Sequence, residues 1–187
     1  MSINESKCHN ITFNFSQKNY YPQNLTLNGK IINTENKIKL LGVNITNDLK
    51  WTDNTKEICS KINRKLYILS KLKHHGLQSR ELITVWISVI RPISEYTAPL
   101  WHSGLSDKAT KKLEMLQKTV LAIILGTVYV NNRKHYKVDK KPHTYIETLQ
   151  LVGLTTLQSR RETLTRKFAI NTLASANHSS MFVKKRQ

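Results

Sequence analysis

Acidic side chains are scarce: 12 Asp and Glu stand against 30 Lys and Arg, a formal charge of +18, and only Asp48, Asp53, Asp107 and Asp139 are aspartates. No two of them are adjacent, which excludes the paired-carboxylate turn that holds two metal ions in polymerases. Cysteine is nearly absent too. Cys8 and Cys59 show no framework spacing, so free thiols in a reducing compartment are expected. The six glycines form neither a phosphate-binding loop nor a Gly-x-Ser-x-Gly elbow. Neither cysteine has a Cys or His at ligand spacing. The adjacent His74 and His75 would diverge by about 100° on a helix, and His102, His135, His143 and His178 are scattered, so no metal site is expected. The longest aliphatic run, residues 120 to 125, is far too short for a bilayer, and the polar N-terminus lacks the apolar core of a signal peptide. The expectation is an intracellular chain, nuclear or cytoplasmic, with no membrane partner, no small-molecule substrate and no cofactor.

The positive charge is unevenly placed. Residues 1–50 hold six basic and three acidic side chains, a balance of +3, whereas residues 51–187 hold 24 and nine, a balance of +15. Such a field favours a polyanion, and RNA, DNA or an RNA/DNA hybrid is the commonest.

The pattern predicts an α+β fold: a short N-terminal antiparallel sheet followed by a mostly helical bundle of about five helices. In residues 1–50, Ile11, Phe13 and Phe15 alternate with polar residues, as do Leu25 and Leu27. Asn28-Gly29 marks a turn, and Lys37 to Ile45 reads as a third strand segment with a bulge or a close backbone approach at Gly42. From Trp51 the period becomes helical: Ile58, Ile62, Leu66 and Leu69 form one face, Thr52 or Asp53 caps it, and Gly76 follows its end. The most apolar stretch, Leu82 to Trp101, reads as a core helix with neighbours on several sides, since Leu82, Val85, Trp86, Val89, Ile90 and Ile93 cover more than one face. Ser79 is its expected cap, and Pro92 is expected to kink or end it near Ile90 and Arg91. A third helix from Ser106-Asp107 to Gly126 completes residues 51–126. Residues 127–143 read as a basic mobile loop. Residues 144–176 carry a short helix, Tyr145 to Leu151, and a last one opened by Thr155-x-x-Gln158, with Leu157, Leu164, Phe168 and Leu173 facing inward. Residues 177–187 read as a frayed tail.

Arg91, Pro92, Glu95, Tyr96 and Trp101 form a structural corner rather than a ligand site. Arg91 lies four residues before Glu95 and can pair with it in apolar surroundings.

Several segments, in order, resemble the C-terminal part of a LINE-type, non-LTR retrotransposon reverse transcriptase. They are Asn4-x-x-Lys7-Cys8, Lys39-Leu40-Leu41-Gly42-Val43, Leu49-x-Trp51, Arg91-Pro92-Ile93-Ser94-Glu95-Tyr96 with Pro99-Leu100-Trp101, Leu113-Glu114-x-Leu116-Gln117-Lys118, and Leu149-x-x-Val152-Gly153-Leu154-x-x-Leu157 with Arg160-Arg161. The resemblance implies that residues 1–50 are the end of the polymerase palm and that the helices after Trp51 are thumb and post-thumb. By similarity, Lys7 lies near the triphosphate of an incoming nucleotide, and Leu41 and Gly42 belong to the element holding the primer end. The helix after Trp51 tracks the template and primer backbones. The chain departs from the family where catalysis occurs: the aspartate pair, and with it the Mg²⁺ of the parent polymerase, falls outside it, so no polymerase activity is expected of this chain alone.

The candidate phosphate contacts are Lys61, Arg64, Lys65, Lys71 and Lys73 on the first helix, and Arg160, Arg161 and Lys167 on the last; Lys7 joins the nucleic-acid-binding set only through the resemblance. Two roles follow. One is a polymerase piece that retains non-specific binding to a nucleic-acid backbone. The other is a basic helical interaction module that binds an acidic protein or the missing palm, with no nucleic-acid role. An independent enzyme ranks below both. The oligomeric state is open.

Overall fold

A computed structural model describes residue 4 and residues 7–15, 25–126 and 144–175. The expected basic loop, 127–143, and tail, 177–187, lie outside them. The fold is α+β, with short N-terminal antiparallel strands followed by a helical bundle. It divides into two compact units, Met1–Thr55 and Lys56–Gln187.

In the first unit, β1 (Leu25–Leu27) pairs with β2 (Lys30–Ile32), and β3 (Lys37–Leu40) pairs with β4 (Val43–Thr46). These are two separate hairpins, not one sheet. Asn28 and Gly29, at φ 50° and 80°, make the first turn, as their sequence predicts. The segment 37–45 is not a single bulged strand. Leu41 and Gly42, at φ 47° and 83°, turn the chain between Leu40 and Val43. Residues 11–15 form no strand despite their alternation, and Phe15 is exposed. The link there is a bridge from Asn10 to Thr34, where the Asn10 carbonyl accepts the Glu35 N–H at 2.8 Å. After β4 the Asp48 carboxylate accepts the Thr46 hydroxyl and the Lys50 N–H at 2.7 and 3.0 Å, which holds its pKa down to about 2.

Helix α1 (Thr52–His74) begins in this unit and continues into the second. Asp53 sits in its first turn, where the dipole favours it, and meets Lys37 Nζ at 2.9 Å. Gly76, at φ 90°, closes it: the Leu77 N–H reaches the Leu72 carbonyl at 3.2 Å and the Gly76 N–H the Lys73 carbonyl at 3.0 Å.

In the second unit, Pro92 does not end the central helix. The backbone stays helical through α2 (Ser79–Val85), a π-helical turn (Trp86–Ile90) and α3 (Arg91–Glu95). The Arg91 N–H donates to the Trp86 carbonyl, five residues back. That wider turn sets Pro92 at the start of a fresh α segment, where its missing N–H is tolerated. The bend falls later, at Tyr96 and Thr97, the latter at φ 50°. Only one side of this helix is buried: Leu82, Trp86 and Ile90 face inward, whereas Val89 is exposed. Its cap is Gln78, not Ser79, because the Glu81 carboxylate accepts the Gln78 N–H at 2.8 Å.

Helix α4 (Ala98–Trp101) leads through a 3₁₀ turn (His102–Gly104) to α5 (Asp107–Leu125), capped by the Ser106 hydroxyl. Helix α6 (Tyr145–Leu151) carries a reciprocal Thr144–Glu147 cap and ends at Gly153. Helix α7 (Leu157–Ala174) is capped by Thr156, one residue later than the expected Thr155, whose carbonyl accepts the Gln117 amide at 2.8 Å. Ile62, Leu69, Leu82, Trp86, Trp101, Leu113, Val120, Leu149 and Leu157 are buried. Of the predicted α7 face only Leu157 is fully buried; Phe168 and Leu173 are exposed.

Candidate nucleic-acid interface

The 3.6-residue period of α1 turns Ile58, Ile62, Leu66 and Leu69 inward, which sends Arg64, Tyr67 and Lys71 to the opposite side. Arg64, Lys65 and Lys71 are exposed and have no ion-pair partner among the described residues. Solvated cations of this kind are free to neutralise phosphates. Two other predicted contacts on this helix have work within the fold. Lys61 Nζ meets Glu57 Oε1 at 2.8 Å. Lys73 Nζ donates to the Ile123 carbonyl in the last turn of α5, where a cation complements the helix dipole.

The last helix corrects the sequence-based expectation more strongly. Arg161 is fully buried: its guanidinium lies 5.7 Å from the Trp101 ring centroid, so it cannot serve as a phosphate contact. Burial pulls its pKa down, opposed by the carboxylates of Glu114, Glu95 and Glu162. Arg160 is taken as well. Its Nε and Nη2 donate to Glu95 Oε1 and Oε2 at 3.0 and 3.2 Å, and that pairing raises its pKa. Lys167 remains exposed, with Arg166 beside it.

Arg160 thereby completes the predicted corner. Glu95 is shared between Arg91, at 3.1 Å, and Arg160, so one carboxylate ties α3 to α7. Trp101 is fully buried, and its Nε1 donates to the Tyr96 carbonyl at 2.9 Å. A second carboxylate works similarly: Glu114 on α5 accepts the Tyr145 hydroxyl at 2.6 Å and the Gln158 N–H at 2.7 Å. Burial and then Glu114 push the Tyr145 phenol pKa upward. His102, beside Arg161, is held below its usual pKa by burial and by that guanidinium.

In the first unit, Lys7 is exposed. Leu41 stands 81% exposed at its hairpin tip in a left-handed conformation, which costs a non-glycine residue about 1–2 kcal/mol. Leu41→Asn, which gives this turn the Asn-Gly pair of the first hairpin, is expected to raise stability by about 1 kcal/mol in urea unfolding. An unchanged midpoint would show that the tip carries no strain.

Sequence reasoning missed Tyr67, whose ring has Lys71 Nζ 5.5 Å from its centroid, although its place in the 3.6-residue pattern was readable. It also missed Lys108, Lys111 and Lys112, exposed on α5. Lys112 lies close enough to Cys59 to oppose the upward pull of burial on that thiol. Among the described residues no group of three or more His, Cys, Asp or Glu is placed to hold a metal ion, and no helix is long and apolar enough to cross a membrane. No family model, curated protein or solved structure matches the chain.

Proposed function

We propose that this chain is the C-terminal piece of a LINE-type reverse transcriptase, spanning the end of the palm, the thumb and the post-thumb. In this account it retains non-specific binding to an RNA, DNA or hybrid backbone and has no polymerase activity of its own. Support for the origin is the ordered set of sequence motifs. Support for the binding is the exposed cations of α1: Arg64 and Lys71 on its outward face and Lys65 beside the buried stripe have no ion-pair partner among the described residues.

Binding is carried by phosphate neutralisation, so the logarithm of the association constant should fall linearly with the logarithm of salt concentration. The expected slope is about −0.9 per phosphate contacted. Fluorescence anisotropy on a labelled RNA/DNA hybrid between 50 and 300 mM salt checks this. A flat plot would reject the proposal. The second reading, an acidic protein as partner, draws on the exposed Phe168, Ile170 and Leu173 of α7. It predicts that polyglutamate outcompetes the hybrid at equal charge concentration.

A further inference from the structure

Backbone neutralisation requires only Lys and Arg, yet the outward face of α1 also carries an aromatic ring. Tyr67 is 66% exposed, with Arg64 three residues before it and Lys71 four residues after. Those spacings put all three on one side of the helix, with Arg64 and Lys71 separated by about 10 Å along its axis. Lys71 Nζ lies 5.5 Å from the ring centroid, so the cation is drawn towards the ring rather than towards a carboxylate. Folding gains little from a tyrosine there, because its ring is mostly in water and tyrosine is a weaker helix former than lysine or glutamate.

We propose that Tyr67 is a stacking platform for an unpaired base, with Arg64 and Lys71 holding the phosphates on either side. The inference rests on the nucleic-acid reading above and narrows it to a substrate class, single-stranded RNA or DNA. A base inside a duplex has both faces covered by its neighbours, whereas every unpaired base offers a free face to a ring, and flanking cations hold it by its backbone. Purines and pyrimidines alike can stack, so recognition would be tolerant of sequence.

The test compares a labelled 20-nucleotide single strand with a blunt duplex of the same length, using the full chain and its Tyr67→Ala and Tyr67→Trp variants. Tyr67→Ala is expected to weaken single-strand binding about five- to one hundred-fold, with no change in salt slope and no change in duplex affinity. Tyr67→Trp should match or exceed the original affinity for the single strand. Equal losses on both ligands, or none on either, would overturn the stacking role. Failure of the unaltered chain to bind either ligand in a salt-dependent way would instead overturn the underlying nucleic-acid reading.

Discussion

Glu95→Ala is expected to lower the free energy of unfolding by about 3 kcal/mol, enough to threaten the fold of a domain of this size. Glu95 and Arg91 are mostly buried, at 13% and 16% side-chain exposure, and Arg160 is 34% exposed. Removing the shared carboxylate leaves two guanidinium groups without their counter-charge, beside a third, Arg161, that is itself buried. Desolvation already pulls the Arg91 pKa down, against the attraction of Glu95, so the variant exposes that penalty in full. The solvent contact of Arg160 moderates the effect, which keeps the expectation at the lower end of the range for a broken buried pair. Glu95→Gln preserves shape and one acceptor, so it should fall between the two. Urea unfolding followed by circular dichroism measures the difference. A loss below about 0.5 kcal/mol would place Glu95 among ordinary surface ion pairs.

The second large effect concerns binding. Replacing Arg64, Lys65 and Lys71 together with alanine should reduce the steepness of the salt dependence by about three units, because each side chain is assigned one phosphate. At 0.1 M salt that corresponds to a loss of roughly 10²- to 10³-fold in affinity. All three are exposed and alanine is a better helix former, so the unfolding midpoint should barely move. Lys61→Ala with Lys73→Ala is the informative control. It removes two charges that are held by Glu57 and by the Ile123 carbonyl, and should change the slope by less than one. Equal effects per charge removed would mean that net charge alone governs the binding.

Much of the fold was legible because local rules and tertiary packing agree. The Ile58, Ile62, Leu66 and Leu69 stripe, the Gly76 stop, the start of α5 at Ser106-Asp107 and the Asn28-Gly29 turn each have a short-range cause, and the structure keeps each of them. The Arg91–Glu95 pair was legible for the same reason, since four residues bring two side chains together on a helix. What escaped depends on distant partners. Arg160 and Arg161 look equivalent in sequence, but adjacent helical positions point about 100° apart. One therefore reaches Glu95, 65 residues away, while the other is buried over Trp101. Leucine in a left-handed turn contradicts its own propensity, so the hairpin at Leu41-Gly42 read as a bulged strand. The π turn before Pro92 left no pattern, because Leu82, Trp86 and Ile90 keep a four-residue spacing through it.

Lysine acetylation footprinting, read by mass spectrometry with and without a saturating oligonucleotide, tests most directly whether the unpaired cations of α1 are where phosphates bind. Lys65 and Lys71 should be protected several-fold on binding, while Lys61 and Lys73, already engaged within the fold, should change little. Lys65 and Lys71 reacting equally fast in the bound and free chain would contradict the account.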